Sequence, residues 1–190
     1  MRAYLENIAG RLDQESWDML ESIIQKETVG KGNFLLTSGK VCRNIWYMGE
    51  GAVRMFEYRD GEEQTTHFFI SPAMFTTYHS LITGAPSELA VKAEEDCVLE
   101  VLPYEKLKAL YDKSHALERI GRIMAEYQFI AEFNRRRMHL NMDALGRYEK
   151  LESEQPEVFH RFQLKDIATY LGITPVSLSR LRKYRFNKPK

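Results

Sequence analysis

Between about Thr28 and Leu102 the chain reads as a succession of short strand-like runs: FLLT, NIWYMG, AVRMFEYR, EEQTTHFFI, ELAVKA and CVLEVL. Turn signals punctuate them at Lys31-Gly32, Ser38-Gly39, Gly49 to Gly51, Asp60-Gly61, Ser71-Pro72 and Gly84 to Pro86. Asp60-Gly61 between two alternating runs is a hairpin signal, because both turn positions favour residues that tolerate positive φ. Short strands with regular turns build a β-roll or barrel whose interior is available to side chains or to a ligand. A helix precedes them: Asp13 is a good cap, and Trp17, Leu20, Ile23 and Ile24 then share one helical face. With 44% hydrophobic residues, ten Phe and ten Tyr in 190 residues, the chain can bury a sizeable core in one or two domains.

After the strands the period changes. Pro103 opens a short helix, PYEKLKALYD, and a longer one is expected from about Ser114 to Leu140. In it Leu117, Ile120, Met124, Tyr127, Ala131, Asn134 and Met138 recur with spacings of 3, 4, 3, 4, 3 and 4, which is a heptad seam. Ile123, Ile130 and Phe133 form a second apolar side, expected to rest against the roll. Strands alone cannot cover both faces of a helix about 40 Å long, so the seam is expected to pair with a second copy, with Asn134 setting register. The pattern breaks at Asn141 to Asp143, where Asp143 can cap ALGRYEKLESE, and Gln155-Pro156 stops that helix. The expected units are residues 1–113 (roll with flanking helices), 114–140 (dimerisation helix) and 141–190 (C-terminal domain).

The stretch LKDIATYLGITPVSLSRL, Leu164 to Leu181, places Ile167, Leu171, Ile173, Leu178 and Leu181 at apolar positions around a small Ala168 and a Gly172. Two helices crossing steeply through a short turn need a methyl-sized side chain where they touch, which Ala168 supplies. Gly172 supplies the turn residue able to take positive φ. Thr174 can then cap the second helix, with Pro175 at its first position. That spacing describes a helix-turn-helix. Its outward face carries Val176, Ser177, Arg180, Lys183 and Tyr184, suited to a DNA major groove: Arg180 to a guanine edge, Ser177 to a base or phosphate, Val176 to a thymine methyl. Gln163 and Lys165, at the start of the first helix, are placed for phosphates, and the N-terminus at Thr174 adds its own attraction for a phosphate oxygen.

Charge agrees with that assignment. The chain carries 27 basic and 27 acidic residues, yet from Thr174 onward there are six Lys or Arg and no acid, the asymmetry that a nucleic-acid contact requires. Cys42 and Cys97 are far apart in apolar surroundings and are expected to be reduced and buried. No run reaches the roughly 18 apolar residues of a membrane span, and the start lacks the apolar core of a signal peptide. A cytoplasmic protein is expected, with no membrane partner, no metal and no cofactor.

Two stretches, GEGAVRMFEYRDGEEQTTHFF and IATYLGITPVSLSRLRK, resemble the Crp/Fnr family of bacterial transcription regulators, and the likeness spans nearly the whole chain. The resemblance implies an α+β fold: an N-terminal double-stranded β-roll of the cyclic nucleotide-binding type with flanking helices, a long dimerisation helix and a C-terminal helix-turn-helix, winged-helix-like domain. It implies a homodimer that binds near-palindromic double-stranded DNA and contacts RNA polymerase, and it implies no enzyme. Cyclic-nucleotide-binding members carry a Gly-Glu pair for the ribose and an Arg-Ser pair for the phosphate. Here Thr76-Thr77 and Ser87-Glu88 stand at those places. A lost charge-assisted bond costs about 1.5 to 3 kcal/mol and Glu88 adds repulsion, so cyclic AMP and cyclic GMP are not expected to bind. Tyr78, Ser80, Ser87 and Lys92 are the candidates for contacting another small effector.

The iron–sulfur branch of the family needs a cysteine cluster that two cysteines cannot supply. A haem site would need a well-placed axial histidine; His67 and His79 lie in the roll region, but five scattered histidines are what composition alone gives, so no haem is expected. Val176 stands where members often carry an acid, so base preference should lean toward a methyl contact. The chain runs only to KYRFNKPK, so a full wing is not expected, and Arg182, Arg185, Lys188 and Lys190 are assigned backbone contacts instead. Two other readings compete. A cupin-type metalloenzyme would need converging histidines, and His67 is flanked by Thr66 and Phe68. A ligand-binding or protein-interaction module without DNA binding would use the same roll and helices.

Overall fold

The strand block folds as eight antiparallel strands in two sheets. The computed structural model describes residues 1–186, so Lys188 and Lys190 lie outside the described residues, as do the side chains of Tyr184 and Arg185. The strands are β1 (Gln25–Val29), β2 (Phe34–Leu36), β3 (Asn44–Glu50), β4 (Ala52–Arg59), β5 (Glu62–Ile70), β6 (Ala73–Phe75), β7 (Leu89–Ala93) and β8 (Cys97–Pro103). One sheet has the order β1-β8-β3-β6 and the other β2-β7-β4-β5. Their facing sides enclose a core that includes Trp46, Met48, Val53, Met55, Val91 and Leu99. The chain is thus α+β with an antiparallel β-roll and flanking helices.

The β4–β5 hairpin turns where the sequence predicts. Arg59 pairs with Glu62, and Asp60 and Gly61 between them have φ of 53° and 83°, the doubly positive pair that matches the twist of the flanking strands. A register shift after Met55 leaves Met55 opposite His67 and Phe56 opposite Thr65. Strands β1 and β6 have no counterpart among the expected runs. The burial of β1, QKETV, is confined to Val29, and β6 is three residues long, so neither writes an alternating pattern.

Nine described helices flank the roll: α1 (Arg2–Ala9), α2 (Gln14–Glu21), α3 (Tyr78–Thr83), α4 (Tyr104–Tyr111), α5 (His115–Asn141), α6 (Ala144–Glu154), α7 (Val158–Arg161), α8 (Leu164–Tyr170) and α9 (Pro175–Phe186). The caps Asp13 and Asp143 are those read from sequence. Asp13 accepts from Ser16 N at 2.8 Å and Asp143 from Gly146 N at 2.8 Å. Ser114 accepts from Leu117 N at 3.2 Å and so starts the long helix. None of the described helices is long and apolar enough to cross a membrane.

The long helix α5 uses its faces differently from the expectation. Leu117 and Ile120 are buried inside the chain with Leu5, Leu107 and Leu110 of α1 and α4, and Ile123 and Met124 pack partly on the same cluster. Met138 is buried as well, while Tyr127, Ala131 and Asn134 are exposed. Ile130 and Phe133, expected against the roll, are instead more than half exposed. The side of α5 that faces the roll carries Gly121, Ala125, Gln128 and Glu132, small or polar residues an apolar count passes over.

Candidate functional site

Two regions bring the predicted residues together. The first is the pair α8 and α9. Ile167, Ala168, Leu171 and Leu178 are buried within about one per cent exposure and join Tyr148, Leu151 and Val158 in a compact helical core. Ala168 lets the helices touch, and Gly172 makes the turn at φ +65°. Thr174 Oγ1 accepts from Ser177 N at 3.1 Å, the side-chain cap that starts α9. With the apolar side committed to this core, the other side of α9 faces outward. Val176, Arg180 and Lys183 are exposed and Ser177 half-exposed, and Gln163, Lys165 and Thr174 are exposed beside them. All seven residues selected from sequence are exposed or half-exposed. Arg182 is half-buried, and α9 continues to Phe186, so no strand follows it among the described residues.

The second region is a chamber of about 550 Å³ between the roll and α5. Tyr78, Ser80 and Ser87 line it, as do Thr77, His67 and Glu88. Two of the candidate hydroxyls are already engaged by backbone. Ser80 Oγ donates to Ala85 O and accepts from Cys42 N at 2.9 Å, and Ser87 Oγ donates to Leu89 O at 2.9 Å while accepting from Leu89 N. Thr77, three per cent exposed, has a hydroxyl without a hydrogen-bond partner. Lys92 is not part of this chamber. Val91 and Ala93 point into the core, so strand alternation turns Lys92 to the other side, with its ammonium 5.7 Å from the Phe34 ring centroid.

Sequence reading missed the group that closes the chamber. His67 Nε2 donates to Glu132 Oε1 at 2.6 Å, and Arg135 donates to Glu132 Oε2 at 3.0 and 2.7 Å. Burial alone would raise the Glu132 carboxyl, but the bonds and charges of His67 and Arg135 outweigh it and hold the group down to about 2. Arg135 is the only Lys or Arg lining the chamber among the described residues, and it is bound to this carboxylate. His67 Nδ1 lies 3.1 Å from Thr66 Oγ1, so both ring nitrogens have partners, and His79 is exposed at the rim. No group of three potential metal ligands occurs among the described residues.

Strand β5 connects the two regions. Its Thr66, His67 and Phe69 line the chamber. Its Thr65 and Phe68 meet the C-terminal helices: Thr65 N donates to Thr169 Oγ1 at 3.1 Å, and the Phe68 ring lies 4.4 Å from Phe162 and 5.2 Å from Tyr170, centroid to centroid. Beside them Arg54 of β4, two per cent exposed, is held by Glu94 at 2.9 Å, Asp166 of α8 at 3.4 Å, Glu63, and Thr65 Oγ1 at 3.2 Å. Arg161 of α7 binds Glu95 and donates to Gly51 O at 3.1 Å. The helical domain is therefore fixed to the outer face of the second sheet by charge, hydrogen bonds and aromatic contact together.

Comparison with known proteins places this architecture. Residues 26–114 match the family model of the cyclic nucleotide-binding domain, whereas no curated protein matches by sequence. FixK2 from Bradyrhizobium japonicum is similar in structure, with a TM-score of 0.69 at 19% identity over 86% of this chain and 85% of that one. The c-di-GMP-responsive global regulator CLP of Xanthomonas campestris gives 0.69 at 17% identity over 92% of each chain. A Crp/Fnr-family transcriptional regulator from Eubacterium rectale, itself assigned as such only provisionally, gives 0.66 at 18% identity over 91% of this chain and 83% of that one. Residues 26–114 thus match the cyclic nucleotide-binding domain family, in a chain that has the fold of Crp/Fnr-type regulators.

Proposed function

We propose that this chain is a homodimeric, sequence-specific DNA-binding transcription regulator of the Crp/Fnr type that does not respond to cyclic AMP. The observation that carries the reading is the outward face of α9. Val176, Ser177, Arg180 and Lys183 stand together on it, while the opposite side of the helix is buried at Leu178. On DNA, α9 enters the major groove, Arg180 reads a guanine edge, Val176 meets a thymine methyl, and Gln163 and Lys165 hold phosphates. Two copies pair along α5 through its exposed apolar residues Tyr127, Ile130 and Phe133, and the pair reads an inverted repeat. The contact with RNA polymerase and the cytoplasmic location follow from the family resemblance.

The chamber supplies the regulation. It presents the carboxylates of Glu57, Glu88 and Glu132, and its one arginine is already engaged, which disfavours a cyclic phosphate. A small effector of other chemistry bound there bears on β5 and α5 at once, and β5 carries the movement to α8 through Thr65 and Phe68. An electrophoretic or anisotropy assay on an inverted-repeat duplex tests the DNA-binding reading. Affinity should exceed that for random duplex, and log K should fall linearly with log salt as phosphates are neutralised. Equal affinity for the two duplexes would refute it.

A further inference from the structure

A second cavity, distinct in chemistry from the polar chamber, lies where the roll core meets the helical cluster of α1, α2, α4 and α5. Its volume is about 300 Å³. Ile45, Met74, Leu81, Leu102, Leu107 and Met124 are among its apolar lining. Leu81 belongs to the core of the roll, and Leu102 and Leu107 to the helical cluster, so the space is the seam between two packed bodies. The long helix contributes to it: toward the cavity α5 presents Gly121 and Ala125, the smallest side chains available, one turn apart. A Cβ on Gly121 would lie 2.5 Å from the hydroxyl of Tyr111, so a glycine is needed for that ring to reach its place on the wall. The pocket opens to solvent on one side and most of its exposed lining is apolar, so an apolar guest gains by leaving water there.

The wall's polar groups are three tyrosines together with Thr76, Gln128, Glu118 and Arg122. Tyr78, Tyr104 and Tyr111 all line the cavity, and they lie close enough that ionising Tyr104 or Tyr78 would disfavour ionising Tyr111. Among the described hydrogen bonds none involves any of the three hydroxyls. Burial pushes the Tyr111 phenol up to about 12, so it keeps its proton and is a donor under any working condition. A phenol that keeps its proton and makes no hydrogen bond within the chain is free to donate to an acceptor carried by a guest.

We propose that this cavity is a binding site for a small, uncharged, largely apolar molecule bearing one hydrogen-bond acceptor, its body among the leucines and its acceptor on the tyrosine hydroxyls. The site does not depend on the DNA-binding reading. It shares Thr76, Tyr78, Ala125 and Gln128 with the polar chamber, so a guest there touches both the long helix and the chamber wall.

The test uses the full chain and two probes of matched shape, 2-acetonaphthone, which carries a ketone acceptor, and 2-isopropylnaphthalene, which does not. Equilibrium dialysis should show one saturable site per chain for the ketone. The hydrocarbon should bind more weakly by a few-fold to about tenfold, the range one neutral hydrogen bond provides. In Tyr111→Phe that preference should shrink while hydrocarbon affinity is kept. Leu107→Trp, which fills the cavity, should abolish binding of both probes if circular dichroism shows it folded. Absence of saturable binding to the native chain, an unchanged ketone preference in Tyr111→Phe, or full competition by polar solutes directed at the other chamber would each overturn the assignment.

Discussion

The guanidinium of Arg54 and the carboxylate of Asp166 face each other at 3.4 Å across the boundary between the β-roll and the C-terminal helices, and both are almost wholly buried. Arg54 also serves Glu63 and Glu94 and lies 4.3 Å from the centre of the Phe56 ring. One cation therefore neutralises three acids, and only one of those acids comes from the helical domain.

That imbalance predicts unequal mutants. Arg54→Met leaves three carboxylates without their partner and should cost roughly 3 to 5 kcal/mol of stability by urea unfolding. Asp166→Asn should cost less than about 1 kcal/mol, because removing one acid from a cluster rich in acids relieves as much as it loses. Burial raises the Asp166 carboxyl despite the pull of Arg54, so the folded state holds its proton to higher pH than the unfolded chain does. Its ionisation lowers stability as pH rises through that window, and Asp166→Asn should remove this component.

Glu132 has the opposite sign. Its carboxyl is held at about 2 against an ordinary 4.5, so it contributes fully above about 4.5 and loses that contribution as pH falls to about 2. His67 from β5 and Arg135 from α5 are the charged groups that face it. Because its side chain is 37% exposed, solvent screening keeps the effect below about 1 kcal/mol. Melting temperatures between pH 6 and pH 2 should fall slightly faster for the native chain than for Glu132→Gln.

Pairing of chains is predicted to run along the exposed part of α5. Ile130→Glu combined with Phe133→Glu should yield single chains by sedimentation at concentrations where the native protein is a dimer, with no loss of helix content. Leu117 and Ile120 are poor choices for such a test, since they are buried within the chain and their replacement would unfold it.

Most of the architecture was legible because it rests on local rules. Gly172, Thr174 and Pro175 write the turn before α9, Asp60-Gly61 writes the hairpin, and Ser114 and Asp143 write helix starts that the hydrogen bonds reproduce. The chamber was only partly legible. Tyr78, Ser80 and Ser87 were found because they neighbour one another in sequence and match a family segment. Glu132 was missed because its partner His67 is distant in the chain, and a carboxylate on a long helix writes no signal of what it faces. Arg54 was invisible for the same reason: in AVRMFEYR it occupies an outward strand position, where an arginine ordinarily meets solvent. The division of the heptad seam between intrachain burial and a free surface depends on where α1 and α4 pack, which periodicity cannot encode.

Cyclic AMP provides a further check. With Glu88 at the rim and Arg135 held by Glu132, titration calorimetry should detect no cyclic AMP binding to the native chain. Glu88→Arg should gain measurable affinity for inorganic phosphate, since it replaces a repulsive charge by an attractive one.

The most direct measurement is an anisotropy titration of full-length protein on a duplex it has itself selected from a random pool, repeated with Arg180→Ala and Lys165→Ala. Two chains should bind per inverted repeat. Arg180→Ala should lose about 1 to 3 kcal/mol and relax one base position, while Lys165→Ala should weaken all duplexes alike and lower the salt slope by about 1. If selection returns no common sequence, or if Arg180→Ala weakens selected and random duplexes equally, α9 does not read DNA and the account is contradicted.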